Sequence, residues 1–508
     1  MSLARSKRFL IYLLTYPDYR RFTAAARNPE RAYARLWEEI KPLIRRSELW
    51  GKSFRDNLEE YDITTLELYQ PLIQKSFESA ISLLNREPVL FWSQSAGTTG
   101  ARKLFPMTRS FRKQFQRTIP PMVHSLIGRY DLFLKRPVLY FAATDPQESS
   151  TAGVEIGFIS NYNYRTIPGF MRSQYAFPRE VLRDSATFAR YSPVYALATD
   201  LSAMFAVTPL SFKQLIQRIR DNADFILGCL RGDLPLDPTL PKPAVSAERL
   251  ALVKSLLLSG DLRFRKLWPS LQFVCSWKTA VCASHLYEIS SCLEGIDVVD
   301  AVYSATEGWI NVPGVLPGAS VLHPAAHIFE FIETGREISK ANLIRPWDLK
   351  PGGLYEIFLT TAMGMIRYRL FDIVKCTGFY HRAPLIEFHQ KSASILSLGL
   401  VSISEAELLE SFAHSDLPLQ SNWRVGPNKG GNGLVLYVDR IHPDLEGKTA
   451  LADEHLRSRN INYEIYTSNR TMERLSFELL PPAHPLWTRD ELHAQTKPVL
   501  LIQCYPGE

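Results

Sequence analysis

The sequence predicts an α/β protein in two parts. A large N-terminal domain (residues 1–390) combines mixed β-sheets and helices with a β-meander or barrel, and a small C-terminal α/β domain follows (391–508). Three observations carry this. Short apolar runs rich in β-branched and aromatic residues alternate with helical periodicity between residues 89 and 305, the pattern of sheets covered by helices. From 354 to 390 four such runs follow one another with little room for helices, which predicts a meander. From about residue 391 a second α/β pattern begins, and its length suits a small separate domain.

Taken in order, residues 1–86 read as helical. NPERAYARLWEEI (28–40) opens with Asn28 as N-cap and Pro29 at the first helical position, which is where each is favoured. In MSLARSKRFLIYLLTYPDY the apolar run Phe9 to Leu14 is short, and no small-residue cleavage site follows, unlike a secretion signal. An amphipathic first helix is expected, with Arg and Lys outside and Leu and Ile inside; a membrane-surface helix is the alternative. Strands are expected at 89–94, 137–144, 271–277 and 298–305, and a helix within 192–212. The runs LYEIFLTT, MIRYRL, IVKCTGFY and PLIEFHQ make the meander, with Asp372 between two strands. Further on, Ser404 and Glu407 form a capping box for a helix over 404–414, and the Gly-rich turn GPNKGGNG (426–433) precedes the strand LVLYVDR.

Composition narrows the function. Hydrophobic residues at 46% and charged residues at 22% exclude a mostly disordered chain. A net charge of +7 over 508 residues suits anionic ligands but is too mild and diffuse to indicate nucleic acid. The apolar stretch 193–212 is interrupted by Asp200 and Pro209, so no bilayer span is expected. Six cysteines form no CxxC pair and mostly sit in apolar runs. Buried, reduced thiols and a cytoplasmic location are expected.

Three segments carry chemistry. SAGTTGARK (95–103) follows a strand and offers glycines, small hydroxyls, Arg102 and Lys103. Backbone N–H groups there can close around phosphate oxygens. The spacing is not that of a P-loop, and a plain polar turn fits equally. YSATEG (303–308) ends a strand at the sheet edge where ligands collect. Its Glu307 suits Mg²⁺ bridging phosphates, and Tyr303 offers a flat face to adenine; alone, it could be a solvated loop. In MIRYRLFDIVKCTGFY (365–380), Asp372 could accept ribose hydroxyls or simply pair with a neighbouring Arg. His323 and His327 form HxxxH, but Pro324 interrupts a helix and no Glu follows His323, against a zinc site.

In order and spacing, these segments resemble the adenylate-forming superfamily, and within it the Gretchen Hagen family of acyl-acid amido synthetases. The likeness rests on ARKLFPMT (101–108), LWPSLQFVCSW (267–277), HIFEFI (327–332), GGLYEIFLTTAMGMIRYRLFD (352–372), CTGFYHRAPLIEF (376–388) and SEAEL (404–408). It runs from about residue 20 to the end of the chain and is weakest between 145 and 185.

The resemblance implies an adenylate-forming fold and a two-step ligase that uses ATP and Mg²⁺. A carboxylic acid is activated as its acyl-adenylate and then joined to an amine, usually an amino acid. It implies that Ser95, Thr98, Thr99 and Gly100 cradle phosphates, with Lys103 adding charge. Tyr303 and Thr306 would line the nucleotide site, Glu307 bind the metal, Asp372 hold the ribose and Arg369 contact phosphate or ribose. Lys391 and Ser392 fall at the family's hinge between a large and a small mobile domain, and Lys497 falls in its tail-lysine region. The chain also departs from the family. The plant-like loop is one residue longer than SAGTTGARK, Phe371 replaces a glycine before the ribose Asp, and LGLVSI (398–403) lacks a charged pair. Tyr195, Leu201, Met204, Phe205 and Val207, with Thr360 to Met365, are expected to form an acyl pocket for an aromatic or hydrophobic acid. The alternatives are transfer to coenzyme A or another thiol, and a non-catalytic nucleotide-binding relative.

Overall fold

A computed structural model of the chain describes residues 3–94, 103–392, 394–398, 401–417, 419, 422–468, 470–488, 500–502 and 505–506. Helices Leu3–Arg27, Pro29–Arg46 and Leu66–Ser79 open it. The Asn28 side chain accepts from the Arg31 N–H at 3.2 Å, with Pro29 next, as its sequence requires. That helix buries Tyr33, Leu36, Trp37, Ile40, Leu43 and Ile44, spaced along one face, each contributing roughly 1.5–3 kcal/mol.

The first helix departs from expectation. Ile11 is buried, but Phe9, Leu10, Leu13 and Leu14 are exposed and Arg8 turns inward. The Arg8 guanidinium donates to the carbonyls of Ile127 at 2.6 Å, Phe133 at 3.0 Å and Tyr130 at 3.2 Å. These carbonyls lie at and beyond the end of helix Ile119–Arg129. Unpaired carbonyls at a helix C-terminus attract a cation, and that attraction sets which face of the first helix points in.

Strands Val138–Tyr140, Ala203–Phe205, Phe273–Ser276 and Asp297–Asp300 form a four-stranded parallel sheet in sequence order. The expected helix within 192–212 is instead the end of helix Ser185–Ala198, then strand Ala203–Phe205, then helix Leu210–Asp221. Asp200 and Pro209 mark the two breaks. A second sheet pairs Val89–Gln94 antiparallel with Leu104–Thr108 and parallel with Glu155–Gly157.

The third sheet has six antiparallel strands, and Leu354–Thr360, Tyr368–Tyr380 and Ala383–Lys391 form the expected meander in it. Here two expected strands fuse: Tyr368–Tyr380 is one strand of 13 residues, so Asp372 lies inside a strand rather than between two. The register shifts on either side of it. Phe371 takes φ +57°, a left-handed conformation that costs a side chain energy and that glycine adopts freely.

The C-terminal residues form their own apolar cluster, from Leu396 to Leu501. The capping box of Ser404 and Glu407 opens helix Glu405–His414. Strands Gly433–Val438 and Glu473–Leu479 pair in parallel, joined across helices Leu445–Arg459 and Ile461–Ser468, as a parallel pair requires. Cys229, Cys275, Cys282 and Cys376 are buried and Cys292 half-buried, all as free thiols. Among the described residues no helix is long and apolar enough to cross a membrane.

Candidate active site

Beyond the parallel strand Asp297–Asp300 the chain folds into a minimal hairpin. Ser304–Ala305 pairs with Gly308–Trp309, and Thr306 and Glu307 form its tip. The tip is turned into the protein, so Glu307 is only 8% exposed. Its carboxylate accepts from the Thr306 hydroxyl at 2.8 Å and from the Tyr368 hydroxyl at 3.3 Å. Gly308 is required for this fit: a Cβ there would lie 2.9 Å from His327 Nε2 and 3.0 Å from Leu359 Cδ2.

The sheet strand Tyr368–Tyr380 brings its own carboxylate to the same place. Asp372, 2% exposed, accepts from the Tyr303 hydroxyl at 2.5 Å and forms an ion pair with Lys391. Lys391 is its register partner on the neighbouring strand. The Tyr303 backbone is fixed in turn by its N–H donating to Asn311 Oδ1 at 2.7 Å.

The electrostatics define the proton inventory. Burial raises the Tyr303 phenol far above its ordinary value, and the charges of Asp372 and Glu307 add to it. Tyr368 is raised by burial and then by Glu307. Both phenols therefore stay protonated and serve as donors. Burial disfavours the Lys391 ammonium, but Asp372, with Glu307 behind it, outweighs that, and the group is held above its ordinary value.

Of the residues singled out in the sequence, the fold brings Tyr303, Thr306, Glu307 and Asp372 together. Lys103 is exposed just before strand Leu104–Thr108, and its charge acts on Glu67, whose own charge reaches Tyr368. Arg369 is engaged elsewhere: its guanidinium donates twice to Glu356, at 2.8 and 3.0 Å, and lies 4.5 Å from the Phe371 ring centre. The Asp372–Arg pair considered from sequence is replaced by Asp372–Lys391, because Arg367 is bound to Glu330. Ser95, Thr98, Thr99, Gly100 and Lys497 lie outside the described residues.

The expected acyl pocket is not assembled as drawn. Leu201 and Met204 are fully buried in the core on the parallel sheet, whereas Met363 and Met365 belong to a different core. The Thr360–Met365 loop is clamped by Gln114 on the Ala362 N–H, Asn85 on the Ala362 carbonyl and Trp50 on the Gly364 carbonyl. Tyr195 points to the carbonyl of Pro241. His323 and His327 are buried neutral imidazoles, and no cluster of three metal-ligating side chains occurs among the described residues.

Two residues of the cluster, Tyr368 and Lys391, had no assigned contact there from sequence. Lys391 could have been found by counting: it lies eight residues past Ala383 as Asp372 lies eight before Tyr380, across the His381–Arg382 turn. Tyr368 carries no comparable signal.

The Glu307 carboxylate fits a hard divalent cation such as Mg²⁺. Among the described residues it receives two hydroxyl donors, and such an ion needs one or two carboxylates plus substrate phosphates.

Comparison with known proteins identifies the family and the fold. "Indole-3-acetic acid-amido synthetase GH3.10" of Arabidopsis thaliana is 26% identical over 388 residues, covering 66% of this chain and 64% of its own length. "Indole-3-acetic acid-amido synthetase GH3.5" of the same plant is 24% identical over 423 residues, covering 72% of this chain and 67% of its own. The chain thus spans about two thirds of the length of these relatives. Among solved structures, "AtGH3.15 acyl acid amido synthetase in complex with 2,4-DB" superposes with a TM-score of 0.81 at 17% identity, covering 92% of this chain and 90% of the other. A 2-hydroxyisobutyryl-CoA ligase in its postadenylation state gives a TM-score of 0.55 at 11% identity, over 94% and 90%. The fold is adenylate-forming. Residues 52–298 match the GH3 family N-terminal domain and residues 320–391 the GH3 family central domain, together well over half of the sequence, and the chain belongs to the GH3, or Gretchen Hagen, family.

Proposed function

We propose that this protein is an ATP-dependent acyl-acid amido synthetase. A carboxylate oxygen of the acid attacks the α-phosphorus of ATP, the bond to the β-phosphate oxygen breaks, and pyrophosphate leaves. The nitrogen of an amine, in this reading an amino acid, then attacks the acyl carbonyl. Its bond to the AMP oxygen breaks, AMP leaves, and the ammonium proton is lost to solvent. Adenylation gives a poor electrophile a good leaving group, and the protein's work is positioning and charge neutralisation.

The single observation that carries the reading is the Tyr303–Asp372–Lys391 group beside Glu307, off the C-terminal end of a parallel sheet. Asp372 holds the two ribose hydroxyls, and Lys391 balances its charge. Tyr303 and Thr306 line the nucleotide side, and Ser95, Thr98, Thr99 and Gly100 offer backbone and hydroxyl donors to the phosphates. Lys103 adds charge, and Lys497 is the candidate tail lysine. Glu307 would hold Mg²⁺, which when bound neutralises phosphate charge. Arg369 acts by fixing Glu356 and Phe371 beside Asp372 rather than by touching ATP. Residues 391–508 form a small mobile domain hinged at Lys391 and Ser392. The acid is aromatic or hydrophobic, as the names of the relatives suggest. The free thiols suit a cytoplasmic setting.

The test is acid-dependent ATP–pyrophosphate exchange across aryl, indolyl and fatty acids, followed by mass detection of conjugates with pooled amino acids. An amide product with AMP release is expected; no exchange with any acid would sink the reading. The fold shared with a CoA ligase favours one rival, and coenzyme A belongs in the same assay: a thioester in place of an amide would establish it.

A further inference from the structure

We propose that this protein has a second ligand site, remote from the Asp372 cluster, that binds an aromatic or similarly flat organic anion. The site is a cavity of about 390 Å³ between the 164–180 segment, helix Ser185–Ala198 and the 242–244 turn. Its size falls in the range of small-molecule sites.

The floor is aromatic. Tyr164, Phe177 and Tyr195 are buried, and Tyr175 is half-buried. Tyr164 and Tyr175 meet edge to face with ring centres 5.6 Å apart. The phenols of Tyr164 and Tyr195 are spent on the carbonyls of Phe177 and Pro241, so each ring keeps its orientation and offers carbon surface.

The rim is cationic. Arg165, Arg172, Arg179 and Lys242 line it against one lining carboxylate, Glu180. Arg165 is neutralised by Glu155 at 2.7 and 3.0 Å. Arg179 and Lys242 make no side-chain hydrogen bond or ion pair among the described residues. An apolar floor beneath unpaired cations selects a ligand with a flat body and an anionic head, a carboxylate or an equivalent acid group.

Topology separates this cavity from the catalytic cluster. Tyr175 bridges to Val138, on the edge strand of the parallel sheet. The Tyr303–Glu307 hairpin follows Asp297–Asp300, the opposite edge strand. Four strands at about 4.8 Å spacing put roughly 14 Å of sheet between the two. Helix Ile159–Arg165 leads the same way: Ser160 near its start bonds the Ala143 N–H, and Tyr164 and Arg165 at its far end line the cavity.

The test uses the full chain and 6-bromo-2-naphthoate. In crystals soaked with it, the bromine anomalous signal should lie between Tyr175 and Tyr195. In solution, calorimetry should show a binding event that the double variant Arg179→Glu/Lys242→Glu weakens about tenfold or more, the scale of a lost charge-assisted contact. Thermal unfolding of the variant should be unchanged, since both residues are exposed. Inorganic phosphate, which lacks an apolar body, should compete only weakly. A bromine signal only beside Asp372, affinity indifferent to the charge reversals, or phosphate binding as tightly as the naphthoate would each overturn the proposal.

Discussion

The Tyr303 hydroxyl donates to Asp372 at 2.5 Å, joining residues 69 positions apart at the point where the parallel sheet meets the antiparallel one. Asp372 is thereby oriented and paired on one side, with Lys391 on the other. Replacing Asp372 by Asn keeps the shape and removes the charge. The expected result is an ATP KM raised about tenfold or more, since hydrogen bonds to a charged group are worth roughly 1.5–3 kcal/mol. Tyr303→Phe removes one donor but leaves Lys391, and a smaller rise is expected. Pyrophosphate exchange at varied ATP measures both; equal kinetics for Asp372→Asn and the parent would remove Asp372 from the nucleotide site.

Glu307 is held by Thr306 and Tyr368 without any cation within ion-pair distance among the described residues. A buried carboxylate in that state is suited to receive a metal with its phosphates. Glu307→Gln should lower acid-dependent exchange by about a hundredfold or more, while the circular dichroism spectrum stays that of the parent. Magnesium titration provides the control: a variant that saturates at the parent's magnesium concentration would refute the metal role.

Arg367, two residues before Arg369, does structural work. Its guanidinium makes paired 2.9 Å bonds with Glu330 and donates to the Tyr61 carbonyl at 2.7 Å, tying the helical N-terminal region to the antiparallel sheet. Both side chains are 3% exposed. Breaking a buried pair leaves an uncompensated charge, at a cost of about 3–5 kcal/mol. Glu330→Ala should therefore lower the denaturation midpoint strongly. The double variant Glu330→Ala/Arg367→Met should recover part of that loss, because the more deeply buried of the two guanidiniums on Glu330, Arg367 rather than Arg345, is gone. Additive losses would show that the two residues act independently.

The meander, the capping box at Ser404 and the Asn28–Pro29 helix start were legible because each is a local code: strand spacing, an i,i+3 pair, a cap. That Tyr303, Glu307 and Asp372 were site candidates was legible because each sits in a compact motif; that Lys391 joins them was not, although strand register would have placed it opposite Asp372. What was not legible is what depends on distant partners. Arg8 turns inward because carbonyls near residue 130 await it. Arg369 is claimed by Glu356 on the next strand, and Tyr195 by the Pro241 carbonyl. The exchange of glycine for Phe371 was visible in the sequence, but its meaning was not: only the fold reveals φ +57° there and the Arg369 guanidinium over its ring.

His327 gives the chain a pH dependence that can be isolated. Burial, then the Arg117 charge, depress its imidazole to about 3, against an ordinary value near 6.5. Between those values the unfolded chain binds a proton that the folded chain does not, so stability rises with pH and is lost as pH falls below about 6.5. The slope from this one group is at most about 1.4 kcal/mol per pH unit. Asp300, raised by burial to about 6, and Glu405, raised by burial to about 7, act in the opposite sense over part of the same range. The parent's net slope is therefore a composite, and the informative quantity is a difference. Among the described residues both ring nitrogens of His327 lack a hydrogen-bond partner, so His327→Leu removes the proton uptake without stranding a polar group. Urea unfolding at pH 5, 6 and 7 should show the variant losing less stability on acidification than the parent, with the gap widening toward pH 5. Parallel curves at all three values would mean that His327 is already protonated in the fold or accessible to water.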